Sequence, residues 1–228
     1  FCIFAKIMIL LAVKNLTKKY GNLTILNNID FQINNKEIVA IIGKSGAGKS
    51  TFLQTLSTLD SFNEGKLFFK GQELKMTNSK QIQTIRNINF GYIFQAHHLL
   101  PEFTALENIL IPTMIANANT KLAKERALQY LAYLDLLDRK DHLPSELSGG
   151  EQQRIAAIRA VINKPDIIFA DEPTGNLDQL NTKIIMNLFL KLNQEYSTSI
   201  ILVTHNLELT AQCHKVFQLE NQTLKSIK

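Results

Sequence analysis

The sequence predicts an α/β fold in which a mixed, largely parallel sheet with flanking helices is joined to an antiparallel β part and a helical subdomain. A phosphate-loop pattern, residues 43–50, lies between an apolar run and a helix-like stretch. Residues 166–172 and 199–204 form apolar runs that end in polar side chains, as is typical of buried parallel strands. Residues 104–137 carry leucine and isoleucine at near-helical spacing and interrupt the strand-helix order.

Composition indicates a globular chain with an ordinary surface. Its 228 residues, 45% of them hydrophobic, suffice for a well-buried core. The net charge of +5 arises from scattered basic residues rather than from a basic block, so we predict no nucleic-acid partner. The cysteines, Cys2 and Cys213, form no metal-binding or disulfide pattern, which indicates a reducing, cytosolic setting.

The first residues are apolar but do not resemble a membrane anchor. Residues 1–13 contain Lys6 and are shorter than the roughly 18 residues that a span needs. They also lack the features of a signal peptide. Because a methionine stands at Met8, we expect residues 1–7 to be an upstream extension and residues 8–228 to form one domain.

Local patterns predict the order of elements along the chain. Alternation and apolar runs predict strands at residues 8–13, 25–33, 38–42, 66–69, 90–94, 166–172 and 199–204, and a closing hairpin at 215–219 and 223–227. Helical spacing predicts helices at residues 49–59, 79–86 and 155–162, and from 178 to 195. We expect the helical subdomain to cover about residues 96–162.

The phosphate loop predicts where a polyphosphate binds. Its residues are Gly43, Lys44, Ser45, Gly46, Ala47, Gly48, Lys49 and Ser50, followed by Thr51. Glycine lets backbone N–H groups surround the anion, and the helix that follows directs its positive end at the same charge. Lys49 is expected to reach the terminal phosphates, and the Ser50 hydroxyl to help hold Mg²⁺.

Polar residues follow the other predicted strands, at the edge where open α/β sheets bind ligands. Asp171 is placed to support Mg²⁺ and Glu172 to activate a water. Gln95 and His205 end strands at the same edge, although neither is a strong indication by itself. The sequence therefore predicts one site for a polyphosphate and Mg²⁺ that these strands share.

Two further features leave questions open at this point. Tyr20 precedes the phosphate-loop unit, where its ring would either stack on a base or pack in the core. Ser148, Gly149 and Gly150 begin a helix and form another anion-binding arrangement. A second phosphate site in a chain of this size requires an explanation.

These residues together resemble the ATP-binding subunits of ABC transporters, from about residue 8 to residue 228. The most specific part is the signature segment, Leu147-Ser148-Gly149-Gly150-Glu151-Gln152-Gln153. The resemblance implies that two copies bind head to tail with ATP between them, which would explain the second phosphate site. It also implies these roles: Glu172 polarises the water, His205 contacts the γ-phosphate, Gln95 senses Mg²⁺ and the membrane partner, and Asp178 links the two sites.

Two segments narrow the resemblance to the branch of lipoprotein-releasing ATPases. Residues 174–178 are similar to the corresponding segment in a branch that also includes the macrolide-exporter and cell-division types. Residues 96–108 are closely similar to the segment found in the lipoprotein-releasing type. This resemblance implies a peripheral protein at the cytoplasmic face of the inner membrane with two permease subunits as partners. Leu143 stands where an arginine is usual, which leaves one local contact in doubt.

Other classes of ATPase share parts of this pattern. Soluble DNA-maintenance ATPases share the head but insert long coiled coils, and the segment between Ser50 and Ser148 shows no sustained heptads. A related exporter or cell-division complex stays open as an alternative. His97-His98 is not expected to bind a metal, since adjacent side chains point apart. The apolar segment 97–103 is expected either to dock a permease helix or to pack against the helical subdomain.

Overall fold

The computed structural model describes residues 8–175 and 177–228, so the expected extension, residues 1–7, and Asn176 lie outside the described residues. The strands are β1 (Ile9–Tyr20), β2 (Leu23–Asn34), β3 (Ile38–Ile42), β4 (Glu64–Phe69), β5 (Gln72–Glu73), β6 (Phe90–Ile93), β7 (Ile167–Asp171), β8 (Ser199–Val203), β9 (Lys215–Glu220) and β10 (Thr223–Ser226). The α-helices are α1 (Lys49–Leu56), α2 (Ser79–Ile88), α3 (Ala105–Ile115), α4 (Thr120–Tyr133), α5 (Gly149–Val161), α6 (Gln179–Tyr196) and α7 (Leu207–Thr210).

The strands form two sheets. One is antiparallel, in the order β2-β1-β4-β5. The other has the order β10-β9-β3-β8-β7-β6, in which every neighbouring pair is parallel except β10 with β9. The predicted combination of a mixed sheet, an antiparallel β part and helices is therefore confirmed.

The parallel strands end together. Ile41 on β3 pairs with Val203 on β8, and Val203 pairs in turn with Asp171 on β7. Ile93, the last residue of β6, pairs with Ala170. The segments that leave these strands consequently emerge side by side at one edge of the sheet.

The mixed sheet is buried on both faces because its side chains alternate between two apolar clusters. Ile38 and Ala40 face the cluster that contains α3 to α6, whereas Val39 and Ile41 face the cluster that contains α1 and the antiparallel sheet. Edge-to-face aromatic contacts with centroid distances of 5.1 Å link Phe90 to Phe69 and to Phe169 in the second cluster. Within the described ranges, no helix combines the length and apolar character needed to cross a membrane.

Some predicted boundaries differ from the structure. Helix α1 ends at Leu56 rather than at residue 59, since the N–H groups of Leu59 and Asp60 both turn back to the Gln54 carbonyl. Helix α5 (Gly149–Val161) extends the stretch predicted at residues 155–162 back to the helix start expected at Ser148–Gly150, because Ser148 and Glu151 form a capping box that starts the helix despite its two glycines. Strand β1 extends to Tyr20, well beyond the predicted residue 13.

Gly91 on β6 marks the closest approach of helix α5 to the sheet. A Cβ atom at Gly91 would lie 2.4 Å from the Ala160 carbonyl oxygen and 3.2 Å from Pro165 Cγ. Neither neighbour is the end of a flexible side chain. The packing of α5 on β6 therefore depends on glycine at this position.

We expect Gly91→Ala to lower the free energy of unfolding by about 1–3 kcal/mol, the usual cost of overpacking a core. Gly149→Ala is the matched control, because no atom lies within 4 Å of its added Cβ. Urea unfolding followed by circular dichroism measures both variants. Equal stability of the two would contradict the close contact between α5 and β6.

Candidate functional site

A cavity of about 510 Å³ lies at the carboxyl edge of the mixed sheet. It is lined by Ile25 on β2, by the start of α1 and by residues that follow β3, β6, β7 and β8. The lining residues are Ile25, Gly43, Ser45, Gly46, Gly48, Lys49, Ser50, Thr51, Gln95, Glu172, Gly175 and His205. Ten of these were predicted from the sequence as site residues. The common register of the strand ends is what brings them together.

The phosphate loop passes from β3 to α1 through a left-handed residue. Gly48 has φ of 95°, and a Cβ there would lie 2.7 Å from Ile25 Cγ2, so both conformation and space require glycine. No side chain caps the first turn of α1. The loop therefore presents the helix N-terminus to the cavity, as an anion site requires.

Lys49 is bound to the loop itself. Its Nζ donates to the carbonyl oxygens of Gly43 at 2.9 Å and Lys44 at 3.0 Å. The Ala47 N–H donates to the Lys44 carbonyl at 3.2 Å, which closes the turn of the loop. These bonds keep the ammonium group beside the cavity and give Lys49 a role in loop conformation that the sequence did not indicate.

The Ser50 hydroxyl at the end of the phosphate loop contacts the Asp171 carboxylate. Ser50 Oγ donates to Asp171 Oδ1 at 2.9 Å, and Asp171 is only 6% exposed. Burial raises the pKa of Asp171, and the neighbouring Glu172 carboxylate raises it further, against the hydrogen bond from Ser50. A positive charge at this point would relieve both unfavourable effects.

Glu172 and His205 both line the cavity and are in contact with each other. Glu172 Oε2 lies 2.9 Å from His205 Nδ1, and the Glu172 side chain is largely buried whereas the His205 side chain is exposed. Glu172 has φ of 45°, a left-handed conformation that is uncommon outside glycine and often found at functional sites. Its N–H donates to the Val203 carbonyl at 3.0 Å, so the β7–β8 ladder fixes this conformation.

Other predicted site residues do not line this cavity: Tyr20, Lys44, Ala47, Ser148, Gly149, Gly150, Asp171 and Asp178. Tyr20 is 50% exposed, so it does not belong to the core. Its hydroxyl donates to Asp60, and this hydrogen bond is the main cause of the raised pKa of Tyr20.

The residues of the predicted second phosphate site lie at the start of α5. Ser148 Oγ donates to Glu151 Oε2 at 2.8 Å and accepts from the Glu151 N–H at 3.3 Å. Asp178 caps α6 by accepting from the Asn181 N–H at 2.7 Å, and the Asn181 side chain lies against Gly150. The start of α5 and Asp178 are thus neighbours on a surface outside the cavity.

Gln153 is a residue that the sequence interpretation did not single out for a role. It is 2% exposed, its Nε2 donates to the Pro173 carbonyl at 3.0 Å, and its Oε1 contacts His97 Nδ1. It therefore joins α5 to the turn after β7 and to the loop after β6. One feature of the sequence could have indicated this role: Gln153 places an amide on the same helix face as Ala156 and Ala157, where an apolar residue is expected.

Arg159 adds a second connection between α5 and the loop after β6. Its guanidinium donates to the carbonyl oxygens of His97 at 2.8 Å and His98 at 2.7 Å. The His98 ring makes an edge contact with Phe94 at 4.9 Å between centroids, so the two histidine side chains have separate partners.

Comparison with known proteins agrees with this architecture. The family model described as "ABC transporter" matches residues 26–175. The lipoprotein-releasing system ATP-binding protein LolD of Wigglesworthia glossinidia brevipalpis is 46% identical over 221 residues, which cover 95% of this chain and 96% of that protein. The protein of the same name from Bacteroides thetaiotaomicron is 43% identical over 216 residues, which cover 95% and 99% of the two chains.

Solved structures show the same fold. The dimeric, post-hydrolysis structure of the ATP-binding cassette MJ0796 bound to ADP and Pi has a TM-score of 0.88 and 33% identity, covering 96% of this chain and 99% of that one. A second dimeric structure of MJ0796, described as a bacterial ABC transporter cassette, gives the same values. With the family model, the relatives and the fold in agreement, the chain belongs to the ABC transporter family, as an ATP-binding subunit.

Proposed function

We propose that this chain hydrolyses ATP to power the release of lipoproteins from the inner membrane toward the outer membrane. The observation that supports hydrolysis is the shared row of strand ends, which gathers the phosphate loop, Glu172 and His205 around one cavity. The lipoprotein cargo is inferred from the names of relatives that are 43% and 46% identical over nearly the whole chain. Residues 8–228 act as one ATP-binding domain in this proposal.

ATP binds with its phosphates in the loop of residues 43–50 and its base against Tyr20. The Lys49 ammonium leaves the loop carbonyls for the terminal phosphates, which are stronger acceptors because they carry charge. Thr51 lines the same cavity next to Ser50. The half-exposed Tyr20 ring offers a π-face that stacks on any purine.

The residues around Ser50 fit a magnesium ion. The Ser50 hydroxyl, the Asp171 carboxylate and the Gln95 amide supply the oxygen atoms that Mg²⁺ prefers. The buried Asp171 carboxylate has a raised pKa, and a nearby cation would stabilise its charged form. When bound, Mg²⁺ supplies positive charge that offsets the charge developing on the transferred phosphoryl group.

Glu172 and His205 carry out the chemistry. The Glu172 carboxylate takes a proton from the attacking water, and the hydrogen bond to His205 Nδ1 orients it. His205 contacts the γ-phosphate through the rest of its exposed ring. Lys49 and the N–H groups of the loop stabilise the transition state by charge.

A second copy of the chain completes the site. Ser148, Gly149 and Gly150 lie outside the cavity of their own chain, and nothing within 4 Å would obstruct a Cβ at Gly149, so this surface is open to a partner. In the proposed head-to-tail dimer they bind the ATP held by the other copy, and Asp178 lies where the two sites meet. The similar cassette structures are described as dimeric, which supports this arrangement.

Segment 97–103 is proposed to bind the permeases. Leu100 and Phe103 are 43% and 41% exposed. The buried Asn108 fixes their backbone, accepting from the Leu100 N–H at 2.8 Å and donating to the Phe103 carbonyl at 2.9 Å. Leu99, in contrast, packs against the core, so the expected packing applies to Leu99 and the docking role is confined to the exposed pair.

This docking would place the chain at the cytoplasmic face of the inner membrane as a peripheral subunit with two permeases. The helical subdomain, residues 96–162, contains both the docking segment and Ser148. Co-purification of the chain from detergent-solubilised membranes, with identification of the attached permeases, tests the cargo assignment. Recovery of permeases unrelated to lipoprotein release would overturn it.

We expect Lys49→Ala to lower ATP hydrolysis at least about 100-fold, because a charge that stabilises the transition state is lost. The fold should be retained, since the hydrogen bonds of Lys49 Nζ in the described part of the chain go to two loop carbonyls. Phosphate release measures turnover and circular dichroism checks the fold, with Lys121→Ala on α4 as the control. A folded Lys49→Ala protein with normal turnover would contradict the assigned site.

We expect Glu172→Gln to bind ATP normally but to hydrolyse it at least about 100-fold more slowly, because the amide keeps the shape and cannot accept the proton. The stalled chains should elute as an ATP-bound dimer in size-exclusion chromatography with Mg-ATP. Glu125→Gln on α4 serves as the control. A monomer with unimpaired turnover would show that the base lies elsewhere.

We expect Leu100→Ser combined with Phe103→Ser to weaken the association with the permeases by on the order of tenfold and to stop lipoprotein release, because apolar anchors are lost. ATP binding by the isolated subunit should not change. Leu23→Ser combined with Ile227→Ser is the control, since these residues are 63% and 54% exposed elsewhere on the surface. Normal association of the Leu100/Phe103 variant would contradict docking at this segment.

A further inference from the structure

Tyr20 is held in place by a polar cluster that connects the end of β1 with the segment after α1. We call it the Lys18–Asp60 clamp, and it consists of Lys18, Tyr20, Asp60 and Ser61. Asp60 accepts from Lys18 Nζ at 2.8 Å, from the Ser61 N–H at 2.7 Å and from the Tyr20 hydroxyl. Lys18 Nζ also donates to the Ser61 carbonyl at 2.7 Å.

The clamp contains a buried charge. Lys18 is 5% exposed, and burial of an ammonium group is unfavourable unless it is paired and hydrogen-bonded. Burial alone would raise the pKa of Asp60, but hydrogen bonds from Lys18 and Tyr20 hold it below its ordinary value. Because separating the pair would leave Lys18 uncompensated, the clamp is a rigid element rather than a mobile surface contact.

Two contacts fix the orientation of the Tyr20 ring. Lys18 Nζ lies over one face of the ring, 4.5 Å from its centroid, and the hydroxyl is bound to Asp60. The ring is nevertheless 50% exposed. The ammonium group thus covers one face of the ring, and the half-exposed residue still offers surface to a flat ligand.

The clamp also connects the Tyr20 ring to the phosphate loop through helix α1. Asp60 lies four positions after the end of α1 and is tied back to the helix by its N–H, which donates to the Gln54 carbonyl at 3.1 Å; α1 itself begins at Lys49. The same segment is held to β1 a second time, by the Asn63 N–H donating to the Thr17 carbonyl at 2.9 Å. The separation between the ring and the loop is therefore set by α1 and the clamp.

We propose that Lys18 and Asp60 are positioning residues that hold Tyr20 as a base platform at a fixed distance from the phosphate loop. They would favour a nucleoside triphosphate, whose base reaches the ring, over a bare polyphosphate. The inference rests on the proposed function for the position of the phosphates. It goes further by assigning base affinity to a partly buried ion pair that need not touch the nucleotide.

Calorimetric titration with two probes tests the clamp: the β,γ-imido analogue of ATP and inorganic tripolyphosphate, both with Mg²⁺. We expect Asp60→Ala to raise the Kd of the analogue about tenfold, within the range that base stacking supplies, and to leave the Kd of tripolyphosphate unchanged. Asp166→Ala is the control, because it breaks a pair of the same length, with Lys70 Nζ at 2.8 Å but with a lysine that is 43% rather than 6% exposed, and should affect neither Kd.

Tyr20→Phe keeps the ring and leaves the partly buried Lys18–Asp60 pair intact, so it tests the proposal even if Asp60→Ala does not fold. We expect Tyr20→Phe to raise the Kd of the analogue several-fold. The same substitution should have a smaller effect in the Asp60→Ala background, because both changes remove the same hydrogen bond between Tyr20 and Asp60. The proposal would be overturned if Asp60→Ala raised the Kd of both probes equally. It would also be overturned if Tyr20→Ala weakened binding of the analogue while Asp60→Ala and Tyr20→Phe had no effect. A native chain that binds neither probe would contradict the proposed function itself.

Discussion

The hydrogen-bonded register of four parallel strands is the constraint on which the site depends. Ile41, Val203 and Asp171 lie in one row across β3, β8 and β7, and the Thr204 N–H continues the ladder by donating to the Ile41 carbonyl at 3.2 Å. A shift of one residue in any strand would turn its core side chains to the opposite face. Since both faces are packed against separate apolar clusters, the register that builds the core also fixes the geometry of the cavity.

Two residues at the carboxyl end of β7 are in energetically unfavourable states. Asp171 is buried beside another carboxylate, and Glu172 adopts a left-handed backbone. The bonds from Ser50 to Asp171 and from the Glu172 N–H to Val203 hold both in place. The stability of the sheet thus maintains an arrangement that isolated segments would not adopt, and this arrangement suits a cation and a polyphosphate.

The strands and the candidate site were largely predictable because their signals are local. Apolar runs that end in polar residues identify buried strands and their carboxyl ends, and the phosphate loop identifies which edge binds. The polar partners were not predictable, because they arise from tertiary contacts. Lys18 and Asp60 meet across 42 positions of sequence, and Gln153 contacts Pro173 and His97 from a helix face that otherwise carries apolar residues. No spacing in the sequence encodes such pairs.

Gln153 shows how the two parts of the proposed dimer site are connected within one chain. Helix α5 begins at the residues proposed to face the partner's ATP, and one turn later Gln153 bonds the turn that follows Glu172 and contacts the loop that follows Gln95. A movement of α5 that broke the bond to Pro173 would leave a buried amide unsatisfied, at a cost of about 1–3 kcal/mol. Arg159 adds two bonds to the same loop. Displacement of the start of α5 is therefore accommodated at lower cost if the loop after Gln95 and the turn after Glu172 move with the helix. In the proposed dimer, this connection would couple the partner's ATP to the Glu172 carboxylate and to the proposed permease-docking segment.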